Sequence, residues 1–120
     1  MIQTVVKRDG RIVGFNREKI AAAIRKAMLT TEAGEDEVLV YKIVDRIEFR
    51  GKEQSSVEEI QDMVEVELMA SPRKEVAKSY IAYRDKRSIA RKAKTREMFL
   101  EIVEAKSNDV TRENANMNAD

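Results

Sequence analysis

Two short apolar runs rich in β-branched residues lie near the start of the chain, at residues 4–6 and 12–13, and such runs are typical of short β-strands. The two runs flank Asp9-Gly10, so we predict strands near residues 3–8 and 11–14. An Asp-Gly pair favours the positive φ angles of a type I′ turn, and the two strands should therefore form a hairpin. Residues 52–54 could add a third short strand.

From residue 17 onward the apolar positions recur every three or four residues, which predicts amphipathic helices. Asn16 is a suitable N-cap for the first helix, and Gly51 follows the second helix as a C′ glycine. Ser71 caps the fourth helix, and Pro72 takes its first position. The four predicted helices span about residues 17–29, 35–50, 57–70 and 72–93.

The third predicted helix is rich in carboxylates. Its start offers a capping box in either of two registers, which pair Ser55 with Glu58 or Ser56 with Glu59. The carboxylates could bind a divalent cation, but their spacing fixes no site geometry, and we favour a solvated acidic face. The residues concerned are Glu58, Glu59, Asp62, Glu65 and Glu67.

These elements predict an α+β fold that is mainly α: a four-helix bundle covered by a small β-sheet. The sheet consists of the N-terminal hairpin and a possible third short strand. Residues 95–106 form a further amphipathic stretch, which either continues the fourth helix or stands alone. We divide the chain into a domain over residues 1–93, a linker helix over 94–107 and a tail over 108–120 that is predicted to be disordered.

Composition narrows the possible chemistry. The 120 residues include neither Cys nor His, so the chain lacks a thiolate, a disulfide, a zinc ribbon and the usual general base near neutral pH. This leaves a binding or regulatory module, or an enzyme built on carboxylates and lysines. No stretch approaches the ~20 apolar residues of a membrane span, and Lys7, Arg8 and Asp9 interrupt the position of a signal peptide. We predict a cytoplasmic protein.

The net charge of +1 conceals strong segregation of charge along the chain. Residues 1–30 carry seven basic and two acidic side chains, and residues 84–96 carry seven basic and one acidic. Residues 31–71 carry four basic and twelve acidic side chains. The two basic segments either converge on one anion or neutralise the acidic middle of the chain.

The predicted hairpin and first helix together suit a polyphosphate. A helix N-terminus carries partial positive charge and free N–H groups, and Lys19 would add a cation in the first turn. A lysine of the hairpin, Lys7, could complete the set. The phosphate-loop patterns GxxxxGK[ST] and GxGxxG are both absent from the sequence.

Four segments of the chain follow the order typical of one domain family. They read VVKRDG at residues 5–10, FNREKI at 15–20, SVEEIQDMVE at 56–65 and YIAYR at 80–84. Together they resemble the ATP-cone domain, the N-terminal regulatory module of many ribonucleotide reductases, over roughly residues 3–93. The resemblance implies a small sheet over a four-helix bundle, with a nucleotide bound between the sheet and the helices.

The resemblance also implies roles for individual residues at the phosphates. Lys7 and Arg8 would lie at the phosphates or the sugar, and Lys19 would reach the phosphates. Asn16 would cap the first helix and could contact the ligand. Each of these residues also has a simpler explanation, since the cations could be ordinary solvated charges and Asn16 a cap alone.

At the base, the resemblance implies that Gln61 reads the adenine edge, with Val57 one helical turn before it. Tyr83 and Arg87 on the fourth helix would close the site. The residues that would line the base or ribose pocket are Val5, Val13 and Ile20. These residues also have a simpler explanation. Gln61 could be an exposed helix residue, Tyr83 a core aromatic residue, and the three aliphatic residues ordinary parts of the core.

The last residues of the sequence indicate which kind of ATP-cone protein the chain resembles. Residues 111–120, TRENANMNAD, resemble the junction between the cone and the catalytic barrel of anaerobic (class III) ribonucleoside-triphosphate reductases. A repressor family that shares the cone has a four-cysteine zinc ribbon before it, which does not fit a chain without Cys. We therefore expect the N-terminal part of such a reductase, without catalysis by these 120 residues. ATP in the cone would leave the enzyme active, and dATP would inhibit it through altered oligomerisation or substrate access.

Any Mg²⁺ is expected to arrive chelated by the nucleotide phosphates. Two alternative functions remain. The first is a nucleic-acid-binding or transcription-regulatory module, which would use the basic segment 84–96. The second is an oligomerisation domain without nucleotide binding, which would assemble through residues 95–106.

Overall fold

In a computed structural model of the protein, the backbone is described for residues 1–106 and the side chains for residues 1–100. The predicted α+β, mainly α fold is confirmed, with four helices and one three-stranded sheet over this range. In chain order the elements are β1 (Thr4–Val6), β2 (Ile12–Gly14), α1 (Arg17–Leu29), α2 (Glu37–Arg50), β3 (Gln54–Ser56), α3 (Val57–Ala70) and α4 (Lys74–Lys106).

The first strand is the centre of the sheet, whose order is β2-β1-β3. Strand β1 pairs antiparallel with β2, where Val5 faces Val13, and parallel with β3, where Val5 faces Ser55. The third strand was predicted over residues 52–54 and lies instead at Gln54–Ser56. It runs directly into α3, and Ser56 is both its last residue and the N-cap of that helix.

The hairpin turn differs from the predicted type I′ turn. The backbone N–H of Lys7 donates to the carbonyl of Arg11 at 2.7 Å, and that of Gly10 donates to Lys7 at 2.9 Å. Gly10 has a φ of 90°, whereas Asp9 has no positive φ. The result is a three-residue loop closed by a left-handed glycine. The longer loop is stabilised by the Asp9 carboxylate, which accepts from the backbone N–H of Arg11 at 3.1 Å.

Helices α1 and α3 have the predicted bounds, whereas α2 begins two residues later than predicted. The delay follows from Asp36, whose side chain caps α2 by accepting from the N–H of Leu39 at 3.2 Å. Of the two possible capping boxes at α3, the pair Ser56 and Glu59 forms. Ser55 is buried instead, and its hydroxyl donates to a backbone carbonyl.

The fourth helix begins at Lys74, so the prediction that Pro72 occupies its first position is wrong. Ser71 ends α3, because its hydroxyl donates to the Leu68 carbonyl at 2.6 Å and its backbone N–H also bonds to Leu68. Helix α4 then continues without a break, and residues 95–106 therefore extend it.

The chain forms two compact units, Met1–Ile81 and Ala82–Asp120. The predicted domain end at residue 93 stays a prediction, and the predicted disordered tail over 108–120 lies outside the described residues. The first unit holds an aliphatic core to which all four helices contribute, including Ile24, Val44 and Leu68. Across residues 1–106, none of the helices combines the length and the apolar character that a membrane span requires.

Glu59 links its capping box to a lysine. Its carboxylate accepts from the Ser56 N–H at 3.0 Å and lies 2.6 Å from the Lys52 ammonium. The hydrogen bond from Lys52 and then the bond from Ser56 lower the pKa of Glu59 from 4.5 to about 2. Because the pKa is depressed in the folded state, the stabilisation is complete above about pH 4.5 and is lost as pH falls towards about 2.

We therefore expect the difference in urea midpoint between the wild type and Glu59→Gln to shrink as the pH falls from about 5 to about 2. The glutamine variant provides the control, since it keeps the shape of the side chain without its titration. A difference that is constant over this range would contradict the assignment.

Gly51 follows α2 as predicted, but it lacks the left-handed backbone conformation that is typical of a C′ glycine. Its φ of −68° and ψ of 154° are extended. The side chain of Ile2 lies against the glycine, so a Cβ there would be 2.2 Å from Ile2 Cγ1 and 3.2 Å from the Ile47 carbonyl oxygen. Ile2 is only 2% exposed, and it cannot move aside freely.

We expect Gly51→Ala to lower the free energy of unfolding by about 1–3 kcal/mol, because the added methyl overpacks this contact. Urea denaturation would measure the change. Gly14→Ala is the matched control, since no atom lies within 4 Å of a Cβ at that position. Equal effects of the two substitutions would show that close packing on Ile2 is not the reason for the glycine.

Candidate functional site

A cavity of about 420 Å³ lies in the first unit, between the hairpin and helices α1 and α3. Tyr80, from the part of α4 that belongs to this unit, also lines it. The cavity brings together nine of the predicted site residues, which are distant in sequence. They are Val5, Lys7, Arg8, Val13, Asn16, Lys19, Ile20, Val57 and Gln61.

The sheet determines which side chains reach the cavity. Residues two apart on a strand share a face, which places Val5 and Lys7 on the same side of the chain. Both line the cavity. Strand β3 pairs with β1 and leads straight into α3, so the parallel pairing holds the first turns of α3 beside the hairpin. Val57 and Gln61, one turn apart on α3, consequently line the same cavity.

The N-terminus of α1 borders the cavity through Asn16 and Lys19. The Asn16 side chain caps the helix by accepting from the Glu18 N–H at 3.0 Å, as predicted. Lys19 is exposed and Lys7 is half-buried. Within residues 1–100, neither of the two ammonium groups forms a hydrogen bond or an ion pair. The cavity therefore has two uncommitted cations beside the positive end of a helix.

Arg8, by contrast, is engaged by helix α3. Its Nε donates to Glu58 Oε1 at 3.0 Å, and its Nη2 donates to Gln61 Oε1 at 3.1 Å. The side chain of Arg8 is 38% exposed, so this link between the hairpin loop and α3 lies at the surface. The bond joins two predicted site residues that are 53 positions apart in the sequence.

The predicted solvated acidic face of α3 needs correction at Glu67. This residue is 7% exposed, and its carboxylate accepts from Arg46 at 3.4 Å and from Arg50 at 2.9 Å. The two arginines come from α2, which packs on α3. Among the residues that the structure describes, no group of three or more carboxylates could hold a metal ion.

Several residues that line the cavity were not predicted as site residues. Ile60 and Val64 follow the same face of α3 as Val57, and this helical spacing was the signal that could have identified them. Ala23 has the same helical spacing from Ile20 on α1, and the others gave no comparable signal. The full set of missed residues is Asp9, Arg11, Gly14, Phe15, Ala23, Ile60, Val64 and Tyr80.

Tyr83 and Arg87, the remaining predicted site residues, lie in the second unit. They are one helical turn apart on α4, and Arg87 Nη1 lies 3.5 Å from the Tyr83 hydroxyl. The guanidinium carbon is 6.0 Å from the centre of the tyrosine ring. Their role in closing the site stays a prediction.

Comparison with known proteins gives one family. The family model for the ATP cone domain matches residues 3–89. A vitamin B12-dependent ribonucleoside-diphosphate reductase of Thermoplasma acidophilum is 49% identical over 102 residues, which cover 78% of this chain and 13% of that protein. The anaerobic ribonucleoside-triphosphate reductase of Escherichia coli is 35% identical over 119 residues, which cover 97% of this chain and 17% of that protein.

A third relative, the ribonucleoside-diphosphate reductase subunit alpha of Chlamydia pneumoniae, is 40% identical over 75% of this chain and 10% of its own length. The chain thus corresponds to a small part of the reductases that it matches. The family model spans most of the first unit, including every residue that lines the cavity. The chain belongs to the ATP-cone domain family.

Proposed function

We propose that this chain binds ATP and dATP in the cavity between the hairpin, α1 and α3, and that the nucleotide controls the activity of an anaerobic ribonucleotide reductase. The observation that carries the proposal is the pair of uncommitted lysines, Lys7 and Lys19, that line a cavity bordered by the positive end of α1 in an ATP-cone domain. A helix N-terminus with flanking lysines is a physical match for phosphate groups.

The apolar part of the cavity lining suits a base and a sugar. It carries the aliphatic side chains of Val5, Val13, Ile20 and Val57. Gln61 adds an amide that can exchange hydrogen bonds with a purine edge. The volume of about 420 Å³ lies within the ~300–1,000 Å³ typical of small-molecule sites. Mg²⁺ would come with the phosphates, since the described residues form no metal cluster of their own.

The regulatory part of the proposal concerns a larger protein. ATP and dATP differ by one hydroxyl, and they can act in opposite directions only if they favour different states of the reductase. A hydroxyl partner left unpaired in the site would cost about 1–3 kcal/mol, enough to separate two effectors. The partner in this scheme is the catalytic domain of the parent reductase, and the states would differ in oligomerisation or substrate access. The cone itself would carry out no catalysis.

The direct test is calorimetric titration of the chain with ATP and with dATP, in the presence of Mg²⁺. We expect saturable binding of both nucleotides, and sizing in their presence would reveal a change in assembly. If neither nucleotide binds at millimolar concentration, the proposed function is wrong for this chain.

The assignment to the anaerobic class has its own support. The alignment with the anaerobic reductase covers 97% of the chain, whereas the alignment with the vitamin B12-dependent enzyme covers 78%. Fusion of the chain to the catalytic region of an anaerobic reductase that lacks its own cone would test this. Inhibition of the fusion by dATP is the expected result, and an unresponsive fusion would count against the assignment.

A further inference from the structure

We infer that Arg8 is a positioning residue that fixes the side-chain amide of Gln61, and so makes the cavity select a 6-aminopurine over a 6-oxopurine. The inference deepens the proposed function and rests on it. It differs from the role that the family resemblance implied for Arg8, which was contact with the phosphates or the sugar.

The first step is the direction of the Gln61 amide. Arg8 Nη2 lies 3.1 Å from Gln61 Oε1, and a guanidinium can only donate hydrogen bonds. The carbonyl oxygen of the amide is the only atom that can accept this bond. A rotation of the amide by a half turn would place its NH₂ group against the NH₂ group of the guanidinium. Arg8 therefore keeps Oε1 on its own side and holds the amide in one of its two orientations.

The second step is the support of Arg8 itself. Its Nε donates to Glu58 Oε1 at 3.0 Å, so the guanidinium is held between two side chains of α3. Glu58 lies three positions before Gln61, on the same side of the helix. The charge of Arg8 is already matched by this carboxylate. Lys7 and Lys19 have no such partner among the described residues, which makes them the better phosphate ligands.

The third step concerns the base. An amide can pair with two adjacent groups of a purine edge, with its oxygen accepting and its nitrogen donating. Adenine offers an amino donor at C6 beside an acceptor nitrogen, whereas guanine offers an oxygen at C6 beside an N–H donor. For a base held in one pose, a freely rotating amide can read either purine. A fixed amide can read only one of them, since the other would face it with like groups.

The experiment compares dissociation constants for ATP and GTP, measured by calorimetry, in the wild type, Arg8→Leu, Arg8→Lys and Glu58→Gln. We expect the wild type to prefer ATP by about tenfold or more. In Arg8→Leu the preference should fall towards one, because the freed amide can rotate to accept guanine. Arg8→Lys keeps the charge but loses the planar fork that spans both partners, so its preference should fall nearly as far. Glu58→Gln should show an intermediate loss.

Four results would overturn the inference. Equal losses of ATP and GTP affinity in Arg8→Leu, with Arg8→Lys close to the wild type, would mean that Arg8 binds phosphate. An unchanged ratio and unchanged affinities would mean that Arg8 has no role in the site. A wild type that binds ATP and GTP equally would mean that the amide does not select the base. Failure of the wild type to bind ATP at all would overturn the proposed function as well, so the two failures are distinguishable.

Gln61→Leu provides the matched control for the ratio. It removes the amide and leaves Arg8 in place, so the preference for ATP should also fall towards one. The effects of Arg8→Leu and Gln61→Leu on the ratio should not add in the double variant, because both act through the same amide. Additive effects would contradict positioning.

Discussion

Replacement of both Lys7 and Lys19 by alanine is expected to weaken ATP binding about a hundredfold or more. Hydrogen bonds to charged groups contribute about 1.5–3 kcal/mol each, and 1.4 kcal/mol corresponds to a tenfold change in affinity. Both lysines line the cavity, and their ammonium groups have no partner among the described residues, so their removal should leave the fold intact. Calorimetric titration with ATP would measure the loss, and circular dichroism would verify the fold.

The matched control is Lys42→Ala. Lys42 is an exposed lysine of α2 that does not line the cavity, and its removal lowers the net charge by one unit, the change made by each single lysine replacement in the double variant. Its affinity for ATP should stay within about twofold of the wild type, as expected for a distant surface charge under screening. A second control replaces ATP with adenosine as the ligand. Adenosine lacks the phosphates, so its affinity should be equal in the wild type and the double variant. An equal loss for adenosine and ATP would refute the phosphate assignment.

Replacement of Arg46 and Arg50 together by methionine is expected to cost about 2–4 kcal/mol of unfolding free energy. The double change leaves the carboxylate of Glu67, which is 7% exposed, without either of its partners. A buried charge that loses its partner is strongly destabilising. The reverse substitution, Glu67→Met, should cost about 1 kcal/mol or less. It leaves the two arginines in contact with water and fills the buried position with an apolar side chain.

Urea denaturation of the three proteins would measure this asymmetry. Methionine is a suitable replacement on both sides, because its helix propensity is close to that of arginine and glutamate. Equal costs for the two changes would mean that the attraction within the ion pairs, rather than the burial of Glu67, dominates its energetics.

The helices were predictable because their signals are local. Apolar spacing and the caps Asn16 and Ser56 lie within a few residues of the ends that they determine, and α1 and α3 have the predicted bounds. The errors arose where a distant contact competes with the local signal. Gly51 follows a helix, as a C′ glycine does, but the side chain of Ile2 is the reason for the glycine. Ser71-Pro72 is a common helix start, yet here Ser71 bonds back to α3.

In the candidate site too, features with a local sequence signal were predictable, and features that depend on distant contacts were not. Lys7, Lys19 and Asn16 could be proposed from short motifs and from the charge at a helix N-terminus. The network of Arg8 could not, because its partners on α3 lie 50 and 53 positions away in the sequence. Burial of Glu67 was equally hidden, since the identity of a helix face does not reveal which of its carboxylates an adjacent helix covers. Such pairings depend on the docking of elements, which a single sequence leaves open.

The position of β1 in the centre of the sheet has a consequence for the order of folding. Residues 4–6 are synthesised before their parallel partner at residues 54–56, which lies fifty positions later in the chain. Pairs so far apart in sequence form slowly, because the loop between them must be ordered first. The pairing of β1 with β3 therefore completes the sheet last, after α1 and α2 have been synthesised. A nucleotide in the cavity would then be retained only by chains whose sheet has closed, and it would draw folding towards that state.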